Sequence, residues 1–538
     1  MSLELDKSGN SLRESFFSLQ FHTDVARLLD VEHRRLVYHV YRVPLALKYT
    51  RFVIPKKSQG YRTILAPSSP LKIIQRKLAQ VLKEVYKPKP SAHGFISGRS
   101  IVSNASSHTR KRCVLNLDLK DFFPSINYGR VRGMFMGIPY KRPPKVATLL
   151  AAICCAENQL PQGAPTSPTV SNMICAKLDS QLQALAQEYK CFYTRYADDI
   201  TFSTNLLTFP DAIVRVVAEG DARQVAVGGQ LRGIIEGNGF EINEAKVRLQ
   251  ERGGRQEVTG LTTNKIPNVR RRLVRQIRAM LYAWWKFGLD KAQAEFLARY
   301  DKKHRLPSKE SPVFQSVLKG KLSFLLMVKG RLDPVYRNLA TRYAELDADF
   351  KLAPVGYEAA KRSMLVLEEQ GGRFRQGTAF ALDGYGFVTC AHVVGETTRA
   401  VNPFKPADSY EVRVVKTDED LDLAIIEIVG YKLTDGEPLK PQPVMPGQMT
   451  PVTVVGFPNY QNGDLGFVHR GWVTGFRTVA TIRRILTDAA IIAGNSGGPV
   501  FNDKMEVVGI AATGADRMDD AKQTEHHSVI PVSVLSML

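Results

Sequence analysis

Paired cysteines are the first thing missing from this 538-residue chain. Its six, Cys113, Cys154, Cys155, Cys175, Cys191 and Cys390, form no Cys-x-x-Cys motif and no disulfide-like spacing. That excludes a cysteine-stapled secreted scaffold and fits a reducing compartment such as the cytoplasm. Long apolar runs are missing too. The longest, around residues 146–156, falls short of the ~18 residues a membrane span needs. The polar stretch Met1 to Arg13 lacks the apolar centre of a signal peptide. A soluble chain with no membrane partner is expected. The third shortage is acidic residues, and it is local. Residues 1–350 carry 56 Lys+Arg against 30 Asp+Glu, or +26, whereas residues 351–538 carry 18 against 22, or −4, together the +22 of the whole chain. A surplus of that size suits a polyanion, because each phosphate neutralised releases counterions.

The length exceeds what one core supports, so two or three domains are expected. Arg51 to Pro55 and Tyr61 to Leu65 flank a Lys-Lys-Ser-Gln-Gly turn and predict a β-hairpin. Residues 71–86, 145–155 and 169–189 have helical character, and 113–118 and 192–203 read as strands carrying carboxylates. A further helix is predicted from Asn268 to about Phe287, between Pro267 and Gly288. Leu273, Ile277, Leu281 and Trp285 make its apolar stripe. Arg270, Arg271, Arg272, Arg275 and Arg278 fill much of the rest, which favours a duplex-gripping face over a merely solvated one. Residues 346–362 read as a linker, and short β-rich runs with Gly/Pro turns follow it.

Two carboxylate-bearing segments carry the first chemistry. Asp118 ends the apolar run Val114-Leu115-Asn116-Leu117, and Asp198 and Asp199 sit in the turn Tyr196-Ala197-Asp198-Asp199 between two apolar strands. Paired aspartates within an apolar hairpin need a compensating cation. Hard divalent cations take carboxylate oxygens, and two of them about 4 Å apart activate a hydroxyl and stabilise a phosphoryl transition state. Around these lie Asp118-(x)3-Phe122-Phe123 and the stretch Leu160-Pro161-Gln162-Gly163-Ala164-Pro165-Thr166-Ser167-Pro168, followed by Ser171-Asn172. This ordered set, spanning roughly residues 50–340, resembles reverse transcriptases.

The resemblance implies an α/β right-hand fold, with fingers and palm over 1–267 and a thumb over 268–345. It implies Asp118, Asp198 and Asp199 as ligands of a two-Mg2+ site and Phe123 as the gate against a 2′-hydroxyl. Gln162 and Gly163 would line the nucleotide pocket, and Arg62 would hold the triphosphate of a dNTP. Lys246 stands either as a proton donor to pyrophosphate or as a plain surface lysine. Asn104-Ala105-Ser106-Ser107-His108 and Val258-Thr259-Gly260 match two motifs of the retron branch. That match implies a cognate structured non-coding RNA as partner, an RNA–DNA hybrid as product, and RNA contacts at Asn104, His108, Val258, Thr259, Gly260, Arg271, Arg275 and Arg278. Another bacterial defence or diversity-generating reverse transcriptase is the alternative.

The second chemistry lies near the far end. A serine needs a base to take its proton and a carboxylate to orient that base. His392 occurs in Thr389-Cys390-Ala391-His392-Val393-Val394, Asp422 in Leu421-Asp422-Leu423-Ala424-Ile425-Ile426, and Ser496 in Gly494-Asn495-Ser496-Gly497-Gly498-Pro499. Asp418 and Asp420 are rivals to Asp422, but their neighbours are charged. The N–H groups of Gly494 and Ser496 would form an oxyanion hole. The His, Asp, Ser order resembles the trypsin-like proteases and implies an all-β double barrel over 363–538. A barrel that only binds protein partners is the other reading. The expected chain is thus multidomain, an antiphage retron polymerase joined to a serine endopeptidase of unknown protein substrate.

Overall fold

In the computed structural model the chain divides into two compact units, Met1–Arg342 and Tyr343–Leu538. The structure describes residues 4–55, 60–219, 222–304, 312–369, 375–434, 436–479, 481–513 and 527–538. Among these, no helix is long and apolar enough to cross a membrane, and all six cysteines are unpaired.

The first unit is built on an antiparallel sheet with the strand order Phe192–Tyr196, Asp199–Thr204, Cys113–Lys120, Glu241–Ile242, and Arg248–Glu251 also pairs with Cys113–Lys120. Val114, Leu115, Leu117 and Leu119 are all buried, so both faces of the central strand are covered. Helix Ser69–Val85 buries Leu71, Ile74, Leu78, Val81, Leu82 and Val85, the repeat of a single helical face. The helix expected over 169–189 is two, Ser167–Ile174 and Ala176–Glu188, because Cys175 with ψ −3° leaves the helical path. Strands Tyr49–Pro55 and Tyr61–Pro67 form the expected hairpin. Its turn, at residues 56–59, lies outside the described residues.

Four helices follow, Arg271–Phe287, Leu289–His304, Phe314–Lys329 and Pro334–Leu346, the last running past the unit boundary at Arg342. The first begins three residues later than expected, because Asn268 instead bonds Thr262 in both directions at 2.8 and 2.9 Å. It stops at Gly288, whose φ of +78° suits glycine. Its core face is Ile277, Leu281 and Trp284, whereas Trp285 is 69% exposed. The expected stripe was therefore off by one residue at its end. Trp284 follows Leu281 by three positions and stays on the face, while the next residue turns about 100° away.

The second unit is two closed antiparallel barrels of six strands. The first runs Met364–Glu369, Gln376–Leu382, Gly386–Thr389, Leu423–Ile428, Lys405–Asp418, Thr398–Asn402. The second runs Pro451–Gly456, Phe467–Val479, Ile482–Thr487, His527–Pro531, Val507–Thr513, Pro499–Phe501. Closure leaves no free sheet edge. The stretch expected as a linker ends in helix Tyr357–Lys361, which is packed rather than free: Tyr357 donates its hydroxyl to Thr453 Oγ1 at 3.0 Å, and Lys361 is buried.

Candidate active sites

In the first unit the strand register sets Asp118 opposite Asp199. Leu119 N–H donates to Asp198 C=O at 3.0 Å, so all three aspartates gather where two adjacent strands end. Asp118 is 7% exposed. It accepts from Lys246 Nζ at 2.7 Å and Asn243 Nδ2 at 3.0 Å. Lys246 is thus a partner of Asp118 rather than a plain surface lysine. Desolvation, then the Asp118 charge, raises the Asp198 pKa against the pull of Lys246 and Arg62. Asp199 reaches solvent, yet crowding by protein and then by Asp198 and Asp118 pushes it up to about 7. Asp198 and Asp199, both resisting ionisation, converge with Asp118 into the carboxylate donor set that fits a hard divalent cation.

Of the other predicted residues, Arg62 is close enough for its charge to act on Asp198. Leu65 N–H donates to Gln162 C=O at 3.0 Å, and Gly163 (φ +122°) lies so close that an added Cβ would sit 3.0 Å from Leu65 O. The loop carrying Gln162 and Gly163 is thereby seated on the strand that bears Arg62. Half-buried Phe123 packs on Phe122 at 5.2 Å and Phe95 at 6.3 Å between ring centroids.

A buried network beneath the aspartate turn went unread in the sequence. Arg195 makes a two-pronged pair with Asp179, with Nε and Nη2 each 2.7 Å from its oxygens, and donates to Ala197 C=O at 3.0 Å and Asn172 Oδ1 at 3.1 Å. Tyr193 donates its hydroxyl to Asp179 at 2.7 Å. Ala197 holds φ +58°, a conformation that needs outside support. Gly94 abuts it from the other side, where a Cβ would lie 2.5 Å from Ala197 N. The available signal was an arginine inside an otherwise apolar strand.

Three residues expected to touch RNA do not face solvent. Asn104, His108 and Val258 are fully buried. The His108 ring bonds Ser203 Oγ and Thr194 Oγ1, both at 2.7 Å, tying together the two strands that flank the aspartate turn. Burial, then His93 and Lys111, lowers its pKa to about 3. Both polar atoms of the Asn104 amide are buried without a hydrogen-bond partner among the described residues. Val258, Thr259 and Gly260 belong to a tight hairpin, Glu257–Val258 against Leu261–Thr262, with Thr259 and Gly260 at φ +46° and +82°. Thr259 Oγ1 donates to Ile101 C=O at 3.3 Å, so the two motifs adjoin. Gly260, Arg271, Arg275 and Arg278 are exposed.

In the second unit His392 sits in the helical turn Ala391–Val393 after strand Gly386–Thr389, and Asp422 precedes Leu423–Ile428 with φ +59°. The Asp422 carboxylate lies 2.8 and 2.9 Å from His392 Nδ1 and accepts His392 N–H at 3.1 Å. The rival Asp418 instead accepts Leu421 N–H at 2.9 Å, and Asp420 is exposed. The Ser496 hydroxyl donates to Ala512 C=O at 3.2 Å, and among the described residues no hydrogen bond joins it to His392. The Gly494 and Ser496 N–H groups have no acceptor among the described residues. Gly494 has φ +96°, and a Cβ there would lie 2.6 Å from Phe457 O. Thr378, from the first barrel, holds this turn: its N–H donates to Ser496 C=O at 2.8 Å and its hydroxyl to Gly494 C=O at 2.7 Å. Cys390 is buried beside Asp422, and desolvation above all raises its thiol well beyond the ordinary range.

Residues 54–250 match the family model described as reverse transcriptase (RNA-dependent DNA polymerase), and residues 377–510 match that described as trypsin-like peptidase domain. Retron Mx65 reverse transcriptase of Myxococcus xanthus is 38% identical over 252 residues, which cover 44% of this chain and 55% of that relative. Retron Ec86 reverse transcriptase of Escherichia coli is 33% identical over 260 residues, 48% of this chain and 75% of that relative. The chain belongs to the retron reverse transcriptases. This retron reverse transcriptase spans about half the length of the Mx65 relative and carries a trypsin-like domain besides. The crystal structure of Rv3671c protease from M. tuberculosis, active form, aligns with 33% of this chain and 80% of its own, at 20% identity and TM-score 0.28.

Proposed function

We propose that this chain copies a cognate structured RNA into a branched RNA–DNA hybrid and that its second unit is a serine endopeptidase effector acting in the cytoplasm. The observation that carries the polymerase reading is the gathering of Asp118, Asp198 and Asp199 at adjoining strand ends with too little positive charge to balance them. Mg2+ ions held by these three would activate the attacking hydroxyl and offset charge on the phosphorus oxygens. The chain's own part is to present the carboxylates rigidly, through Arg195 and Asp179, and to steer a dNTP. Arg62 would take the triphosphate, Gln162 and Gly163 would line its pocket, and Phe123 would exclude a 2′-hydroxyl. Primer extension with dNTPs and NTPs on an RNA template tests this. A Phe123→Ala variant that gains ribonucleotide use supports the gate, and unchanged selectivity removes it.

In the second unit His392 would take the Ser496 proton, and Asp422 would hold the ring with Nδ1–H toward itself. The free N–H groups of Gly494 and Ser496 would receive the oxyanion. We place the chain in antiphage defence, with the RNA–DNA hybrid restraining the protease until infection disturbs it. Protection of cells lost in Ser496→Ala supports cleavage, whereas protection retained favours a barrel that only binds. Proteolysis by purified protein should rise after nuclease treatment, and equal rates with and without the hybrid would remove the restraint.

A further inference from the structure

Helix Arg271–Phe287 has a second exposed stripe. Arg271, Arg275, Arg278, Tyr282 and Trp285 follow one another at steps of four, three, four and three residues, the spacing of a single helical face. All are exposed, Tyr282 by 52% and Trp285 by 69%. The helix buries a different face, Ile277, Leu281 and Trp284, so packing does not account for the two exposed rings. The helix contains no acidic residue, and among the described residues none of the three arginines has an ion-pair partner. Arginines in a first turn also oppose the helix dipole. A face chosen only for solubility gains nothing from that placement.

We infer that this stripe is a two-part nucleic-acid site, with arginines for the phosphates of a duplex and Tyr282–Trp285 as a platform on which an unpaired base beside that duplex stacks. At about 1.5 Å per residue, Arg271 to Arg278 spans ~10 Å and Arg278 to Trp285 another ~10 Å. The rings therefore lie one to two nucleotides beyond the last phosphate contact. Their centroids are 5.9 Å apart with planes at 42°, so they do not cover each other's faces. Lys286 Nζ lies 5.5 Å from the Tyr282 ring centroid, which keeps a cation beside the platform. Basic residues interleaved with exposed aromatics are what single-stranded nucleic acid selects, and a basic, acid-free face excludes an arginine-rich partner by charge.

The inference rests on the nucleic-acid reading above. Its test is fluorescence anisotropy of the full chain with a labelled RNA–DNA hybrid of about 20 base pairs, blunt or bearing an overhang of about four nucleotides. The wild type should bind the overhang form about tenfold more tightly. Tyr282→Ala/Trp285→Ala should bring that ratio near one, and Trp285→Phe should keep most of it. Arg271→Ala/Arg275→Ala/Arg278→Ala should weaken both forms, keep the ratio and flatten the salt dependence by up to about three phosphate contacts. A wild type that binds blunt and overhang forms equally overturns the platform but leaves the nucleic-acid reading standing. A wild type that binds neither overturns both, and self-association lost in Trp285→Ala assigns the rings to a protein contact and overturns the platform.

Discussion

In the first unit three aspartates crowd together, and among the described residues the one cation in contact is Lys246 on Asp118. In the second, the carboxylate of Asp422 is matched to the His392 ring and backbone. The polymerase-type site is left with surplus negative charge inside one continuous sheet. The protease-type site has its carboxylate hydrogen-bonded by the chain itself but is assembled from two barrels, with Thr378 of one holding the serine turn of the other. One site waits for charge from outside the chain; the other depends on registration within it.

The contrast breaks most sharply by removing each chemistry alone. Ser496→Ala should lower hydrolysis of an unfolded protein substrate by about 10⁴- to 10⁶-fold while RNA-templated DNA synthesis stays unchanged, both assayed on one preparation. In reverse, Asp198→Asn should lower DNA synthesis by at least about 10³-fold and spare proteolysis. A chelator should mimic that variant, and re-added divalent cation should restore synthesis. Chelator-sensitive proteolysis would show that the second site also depends on a cation from outside the chain.

Supporting residues sharpen the comparison. Asp179→Asn leaves the Arg195 charge buried without its carboxylate, and should destabilise the first unit by about 3–5 kcal/mol in chemical denaturation. Thr378→Val removes the hydroxyl bond to Gly494 C=O and should lower kcat/KM for proteolysis roughly tenfold. The last effect concerns pH. His108 has a folded-state pKa of about 3, below its ordinary 6.5, so protons favour the unfolded chain between those values. Stability is intact above 6.5 and falls as pH drops toward 3, by about 1.4 kcal/mol per unit. His108→Gln should show a shallower loss of Tm on acidification.

What was legible follows from how local the signal was. The meeting of His392 with Asp422, and of Asp118 with Asp199, could be read because reactive side chains stood in or beside short apolar strands that had to pair. The Arg195–Asp179 pair was not legible, since burial of a charge depends on which helix covers the strand. The burial of Asn104 and His108 was not legible, because a motif records identity but not orientation. Trp285 was misplaced because two adjacent tryptophans differ only by the phase of a helix.

The last strand needed to close the second barrel is His527–Pro531, which pairs with both Ile482–Thr487 and Val507–Thr513. The first unit ends at Arg342, 189 residues before Pro531 (531 − 342). At about 5–20 residues per second, a ribosome takes ~10–40 s to cross that distance. During translation the first unit is therefore complete well before the second barrel can close, so each new molecule has an interval in which one unit is whole and the other is not.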